Sequence, residues 1–179
     1  MKKDYTLTVF TENQTGLVIR IASVITKRHI NIESLSVSKS SMQGIHRFTI
    51  VVNETNEVVR KLCAQLDKQV DVLKAFYYDN EEIVYQEIAL YKVPIEAFFN
   101  GEKLERIVRK HNARILSIEP EYIVIEKTGY EHETEALLEA LRTIGIYEFV
   151  RSGRVAIVKP MERLINYLKS LNIKMSNSN

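Results

Sequence analysis

Glu12-Asn13-Gln14-Thr15-Gly16 stands between an alternating strand pattern (Tyr5, Leu7 and Val9 against Thr6, Thr8 and Phe10) and an apolar helix pattern that ends just before Asn31-Ile32-Glu33-Ser34-Leu35. Residues of these types at these places can receive a small anion or zwitterion. The first N–H groups of a helix lack intrahelical partners and carry the positive end of its dipole, so a carboxylate there gains charge-assisted hydrogen bonds. Gly16 has no Cβ to hold a ligand away from the backbone. Asn13, one turn earlier, is placed to cap the helix or reach a ligand, and Asn31, at the far end of the same helix, offers an acceptor and donors. An α-amino acid requires both kinds of group. The plain alternative is a capped helix with a glycine near its start, and Asn-x-x-Gly alone does not separate the two.

Other chemistry is poorly served. His29, His46, His111 and His132 fall on different elements without a second ligand at zinc spacing. There is no Gly-rich phosphate loop, no Gly-x-Ser-x-Gly elbow and no His-Glu-x-x-His. Glu81 and Glu82 adjoin in a presumed linker, where their carboxylates are solvated rather than organised for acid–base work. Ser34, Ser36 and Ser38 share the outer face of one strand, free to pair with water, neighbours or a docked partner, and no base is placed to activate them. Cys63, the single cysteine, sits among Val59, Leu62 and Leu66 at helical spacing and reads as a buried apolar thiol. With a net charge of +2 and both signs interspersed, the chain offers no basic block for nucleic acid. No apolar run approaches the roughly 20 residues needed to span a bilayer, and Met1-Lys2-Lys3-Asp4 leads directly into a strand rather than a signal segment. The expectation is a cytoplasmic protein with no membrane partner.

The elements that must hold the Asn13 and Asn31 segments follow from periodicity. The first half reads as a strand at about 4–10, a helix at about 16–28, strands at about 32–39 and 45–53, a helix through Val58, Val59, Leu62, Cys63, Leu66 and Val70 with Asn56 at its start, and a strand at 72–77. This order, βαββαβ, is the ferredoxin-like plan. After the polar joint Asp79-Asn80-Glu81-Glu82 a comparable order resumes. A strand covers Glu87 to Val93, a helix carries Leu104, Ile107 and Val108, strands lie at about 113–119 and 121–127 around Pro120, a helix carries Leu137, Leu138, Leu141 and Ile144, and closing strands flank Gly153. Asn100-Gly101 reads as a plain turn, so the second copy lacks the Asn-to-Gly receptor. Pro160 begins a last amphipathic helix before a polar end. The fold class is therefore α+β, two tandem ferredoxin-like domains at residues 1–78 and 86–160, with a linker at 79–85 and a helical tail at 161–179. RNA-recognition modules share the plan but present aromatics on their third strand for stacking, whereas Phe48 here shares a face with Ile50 and Val52 and reads as core. Small acyl-phosphate hydrolases share it too, but their glycine-rich loop and arginine are missing after the first strand.

Glu12-Asn13-Gln14-Thr15-Gly16, Lys27-Arg28 before Asn31-Ile32-Glu33-Ser34-Leu35, and Arg47-Phe48-Thr49-Ile50-Val51-Val52 together resemble the ACT domain of the small, regulatory subunit of acetohydroxyacid synthase (acetolactate synthase). Residues 65–73, 87–93 and the closing Val150-Arg151-Ser152-Gly153 resemble later segments of that family, so the likeness spans about residues 4–158. It implies a homodimer whose ACT domains bind a branched-chain amino acid, usually valine, between them. Asn13, Gly16 and the backbone of Leu17 and Val18 match the ligand loop, while Asn31, followed by Ile32, matches the position reaching the ligand from the other chain. It also implies a separate catalytic subunit that holds thiamine diphosphate, magnesium and flavin (FAD), with no cofactor and no catalytic residue in this chain. One departure is His29, where the family commonly has glycine; histidine tolerates positive φ better than most residues, so the helix is expected to end there with some strain. A stand-alone amino-acid sensor acting on another target, and a small ferredoxin-like enzyme, are the alternative readings.

Overall fold

The structure, a computed structural model, describes residues 1–99 and 103–159. The turn expected at Asn100-Gly101 and the tail expected at 161–179 lie outside the described residues. The first unit runs β1 (Lys3–Glu12), α1 (Leu17–Thr26), β2 (Ser34–Lys39), β3 (Ile45–Glu54), α2 (Asn56–Leu66), β4 (Val72–Asp79). The second runs β5 (Ile83–Pro94), α3 (Glu96–Phe99), α4 (Lys103–Lys110), β6 (Arg114–Ile118), β7 (Tyr122–Gly129), α5 (Glu131–Arg142), β8 (Glu148–Arg151), β9 (Val155–Val158). The joint expected at 79–85 holds the end of β4, a turn and the first residues of β5.

Strand order is β2-β3-β1-β4 in the first sheet and β6-β7-β5-β8 in the second, so the same ferredoxin-like topology occurs twice. Alternation explains each core. Tyr5, Leu7 and Val9 of β1 and Phe48, Ile50 and Val52 of β3 point to the side where Ile21 and Ile25 of α1 and Leu62 and Leu66 of α2 complete the packing. Ala89, Tyr91 and Val93 of β5, with Ile123 and Ile125 of β7, do the same under Leu104, Leu137 and Leu141. Each fully buried large side chain contributes about 1.5–3 kcal/mol. Cys63 lies inside the first core, and burial pushes its thiol up to about 11, which leaves it uncharged and inert at neutral pH.

Several details differ from the sequence reading. The stretch between the strand expected at Glu87 to Val93 and the helix carrying Leu104, given no element by periodicity, contains the short helix α3. The N-cap of α2 is Thr55 rather than Asn56, and it makes no side-chain cap hydrogen bond. His29 does take positive φ, 55°, and Asn112 repeats that left-handed exit at 48° after α4. The largest difference concerns the outer face of the first sheet. Thr6 and Thr8, set by alternation on the face opposite Tyr5, Leu7 and Val9, are 0% and 3% exposed. The cause is β9, which does not join the β8 edge but pairs with the first residues of β5, in the register Ile83↔Val158 to Gln86↔Val155. That two-stranded ribbon lies against the first sheet, where Arg47 of β3 donates to the Ala156 carbonyl at 2.6 Å.

Candidate functional site

Gly16 is the N-cap of α1 at φ 85°, a left-handed conformation that L side chains resist, and no side chain caps the helix there. The first turn contains no acidic residue. Arg20 is the first residue to donate back, to the Gly16 carbonyl at 3.2 Å, so the amides of Leu17 and Val18 belong to the unpaired positive end of the helix. A methyl group built on Gly16 meets no atom within 4 Å, which shows open space over the loop. Gly16→Ala is therefore expected to cost about 1–2 kcal/mol from backbone strain alone, read as a lower melting temperature without any clash to relieve.

Asn13 is exposed, and its backbone N–H donates to the Gly44 carbonyl at 3.0 Å. This bond ties the β1–α1 loop to the turn after β2. Asn13 does not cap α1, so that half of its expected role is absent. Leu17 is buried in the core, Val18 is 45% exposed, and Ile32 packs against the core only in part. Asn31 is exposed and its Nδ2 donates to Glu33 Oε1 at 2.9 Å, which orients the amide and leaves Oδ1 as an acceptor. Asn13 and Gly16 thus lie at the start of α1 and Asn31 beyond its end. One chain does not bring them together.

The edge strand β2 separates the two half-sites. One side of β2 is bonded to β3 and the other has no partner strand among the described residues. Val37 on β2 and Val18 and Ile19 on α1 are exposed, Ile19 at 72%. The helix pattern, apolar over more than one stripe, thus leaves Val18 and Ile19 outside the chain's own core.

A second feature was missed by sequence reasoning. A cleft of about 790 Å³ opens between the domains, lined on one side by Asn31, Glu33 and Ser34 and on the other by Arg151, Ser152 and Arg154. At its floor Arg154, 2% exposed, donates to Thr6 Oγ1 at 3.3 Å, Asn80 Oδ1 at 2.9 Å and Asp4 Oδ2 at 3.3 Å. Its guanidinium lies 4.0 Å from the centre of the Tyr85 ring. Glu87 stands between Arg154 (3.6 Å) and Arg151 (3.4 Å), and Arg151 continues to Glu131 (2.9 Å) on α5. Burial raises the Glu87 carboxyl above its ordinary range, against the pull of the two arginines, and burial lowers Arg47. Gly153 passes so close to β2 that a methyl group there would sit 2.3 Å from Ser36 Oγ. The available signal was parity: Glu87 occupies the same strand face as Ala89, Tyr91 and Val93, where a carboxylate demands a buried counter-ion. Among the described residues no cluster of three or more His, Cys, Asp or Glu side chains is arranged to hold a metal, and no helix is long and apolar enough to cross a membrane.

Two tandem ferredoxin-like domains, the first of them an ACT domain, define the class of protein. A profile described as an AHAS small subunit-like ACT domain matches residues 7–74, and one described as the small subunit of acetolactate synthase matches residues 86–160. The acetolactate synthase small subunit of Bacillus subtilis (strain 168) is 36% identical over 174 residues, 97% of this chain and 99% of that protein. That of Mycobacterium bovis is 34% identical over 155 residues, 87% and 92% of the two chains. The crystal structure of the acetolactate synthase small subunit from Thermotoga maritima aligns with a TM-score of 0.80 at 26% identity, covering 88% of this chain and 98% of that one. The chain belongs to the acetolactate synthase small-subunit family.

Proposed function

We propose that this chain is the non-catalytic regulatory subunit of acetohydroxyacid synthase in branched-chain amino-acid biosynthesis. It binds valine or a related branched-chain amino acid between two ACT domains, stimulates the cytoplasmic catalytic subunit and mediates feedback inhibition. Family membership supports the regulatory role. Thiamine diphosphate, magnesium and FAD are assigned to the catalytic subunit, and no cofactor is assigned here. The first domain, residues 1–78, is the receptor, and the second, residues 86–160, is joined to it through the 79–85 segment.

The observation that carries the ligand reading is the position of the two half-sites at opposite ends of an unpaired edge strand. The β1–α1 loop is bonded to the turn at the end of β2, and Asn31 precedes its beginning. If β2 pairs antiparallel with its copy across a two-fold axis, the end of one strand meets the beginning of the other. Asn31 of the partner subunit then arrives beside Asn13 and Gly16. The α-carboxylate takes the Leu17 and Val18 amides, the ammonium takes amide oxygens, and the side chain stays among apolar residues. The same pairing covers Val18, Ile19 and Val37.

Calorimetric titration of the purified chain with valine, leucine and isoleucine tests this reading. Saturable binding of at least one of them, with two equivalent sites per dimer, is expected; absence of heat for all three at millimolar concentration contradicts it.

A further inference from the structure

The amino-acid half-site at Asn31 opens into the cleft whose opposite wall is the second domain. Asn31, Glu33 and Ser34 lead into β2, and Gly153 rests on Ser36 of that strand. The next residue, Arg154, is held by Asp4 and Thr6 of the first unit and Asn80 of the joint, and faces Glu87 of the second. From there charges alternate without a break, Asp4 to Arg154 to Glu87 to Arg151 to Glu131, ending on α5 of the second domain. The Arg154 Nε, buried, has no hydrogen-bond acceptor at normal distance, and Glu87 Oε1 stands 3.6 Å away. A small approach of the two closes a hydrogen bond that the 3.6 Å separation leaves open. The network therefore has a contact that a shift of β2 can make, which is what coupling between distant sites requires.

We propose that Arg154 is a positioning residue that transmits occupancy of the amino-acid site to the second domain. It touches no ligand. It fixes the segment that rests on β2 against both the first strand of the first domain and the charged row leading to α5. This inference rests on the receptor reading above and extends it to the route by which the bound amino acid acts.

The test uses the complex of this chain with its catalytic subunit, and valine as probe. Wild type comes first: absence of valine binding to it overturns the receptor reading, independently of Arg154. With wild-type binding and inhibition in hand, Arg154→Met, which keeps the stem and removes the charge, is expected to bind valine by calorimetry with nearly unchanged affinity. Because occupancy is unchanged, its half-inhibiting valine concentration should stay where it is, while the ratio of uninhibited to fully inhibited rate at saturating valine should fall by about tenfold, within the usual range for allosteric coupling. Arg154→Lys retains a charge for Asp4 and Glu87 and should restore much of the inhibition. Asp4→Asn probes the same joint from a more exposed position, decides the matter if Arg154→Met does not fold, and should shift inhibition in the same direction. Inhibition curves that superimpose on wild type in folded variants overturn the proposal. So does a parallel loss of binding and inhibition, which would make Arg154 a support of the binding site itself.

Discussion

Asn31→Ala and Asn13→Ala are each expected to raise the half-inhibiting valine concentration by about one to two decades while the protein remains folded. Each asparagine offers a hydrogen bond to a charged end of the amino acid, and such bonds contribute roughly 1.5–3 kcal/mol. The fold loses much less. Asn31 is exposed and, among the described residues, its side chain bonds only to Glu33, two residues away. Asn13 contributes its backbone, not its side chain, to the tie with Gly44, and it does not cap α1. Stimulation of the catalytic subunit should persist in both variants. Activity titrations against valine, with thermal melts as a folding control, check this, and unchanged inhibition in folded variants removes both residues from the site.

Val37→Pro is expected to convert a dimer into a monomer and to abolish amino-acid binding with it. Ser40 N–H donates to the Ile45 carbonyl, and the alternation of an antiparallel ladder then directs the backbone groups of Ser38 and Ser36 toward β3. The groups of Val37 point to the free edge. Proline at that position deletes an outward donor without breaking a bond inside the chain, and edge strands accept it. Val37 is 43% exposed, so little packing is lost within the monomer. Since neither chain alone joins Asn13 to Asn31, the monomer holds only half-sites, and by linkage valine should in turn stabilise the wild-type dimer. Sedimentation velocity with and without valine reads both effects; a Val37→Pro dimer, or a monomer that binds valine undiminished, contradicts the shared site.

The two ferredoxin-like units were legible because their signals are local. Tyr5, Leu7 and Val9 alternate, Val59, Leu62 and Leu66 recur at helical spacing, and these residues become the first core. Gly16 was legible as a helix start from its missing Cβ, and His29 as a left-handed exit through the resemblance to a family that commonly has glycine there. The interdomain joint was not. Alternation sets Thr6 and Thr8 on the face opposite Tyr5, Leu7 and Val9, and only the long-range pairing of β9 with β5 buries them. Arg154 reads as one more surface charge until Asp4, Tyr85 and Glu87, distant in sequence, converge on it. Glu87 alone carried a local sign, a carboxylate on the inward face of a strand.

The most direct measurement of the regulatory account is the rate of acetolactate formation from pyruvate by the cognate catalytic subunit, alone, with this chain added, and with this chain and increasing valine. The account predicts no activity from this chain by itself, a higher rate when the two are combined, and a decline toward the unstimulated rate or below as valine is added. Conversion of pyruvate by this chain alone, or a catalytic rate indifferent to its presence at every valine concentration, would contradict it.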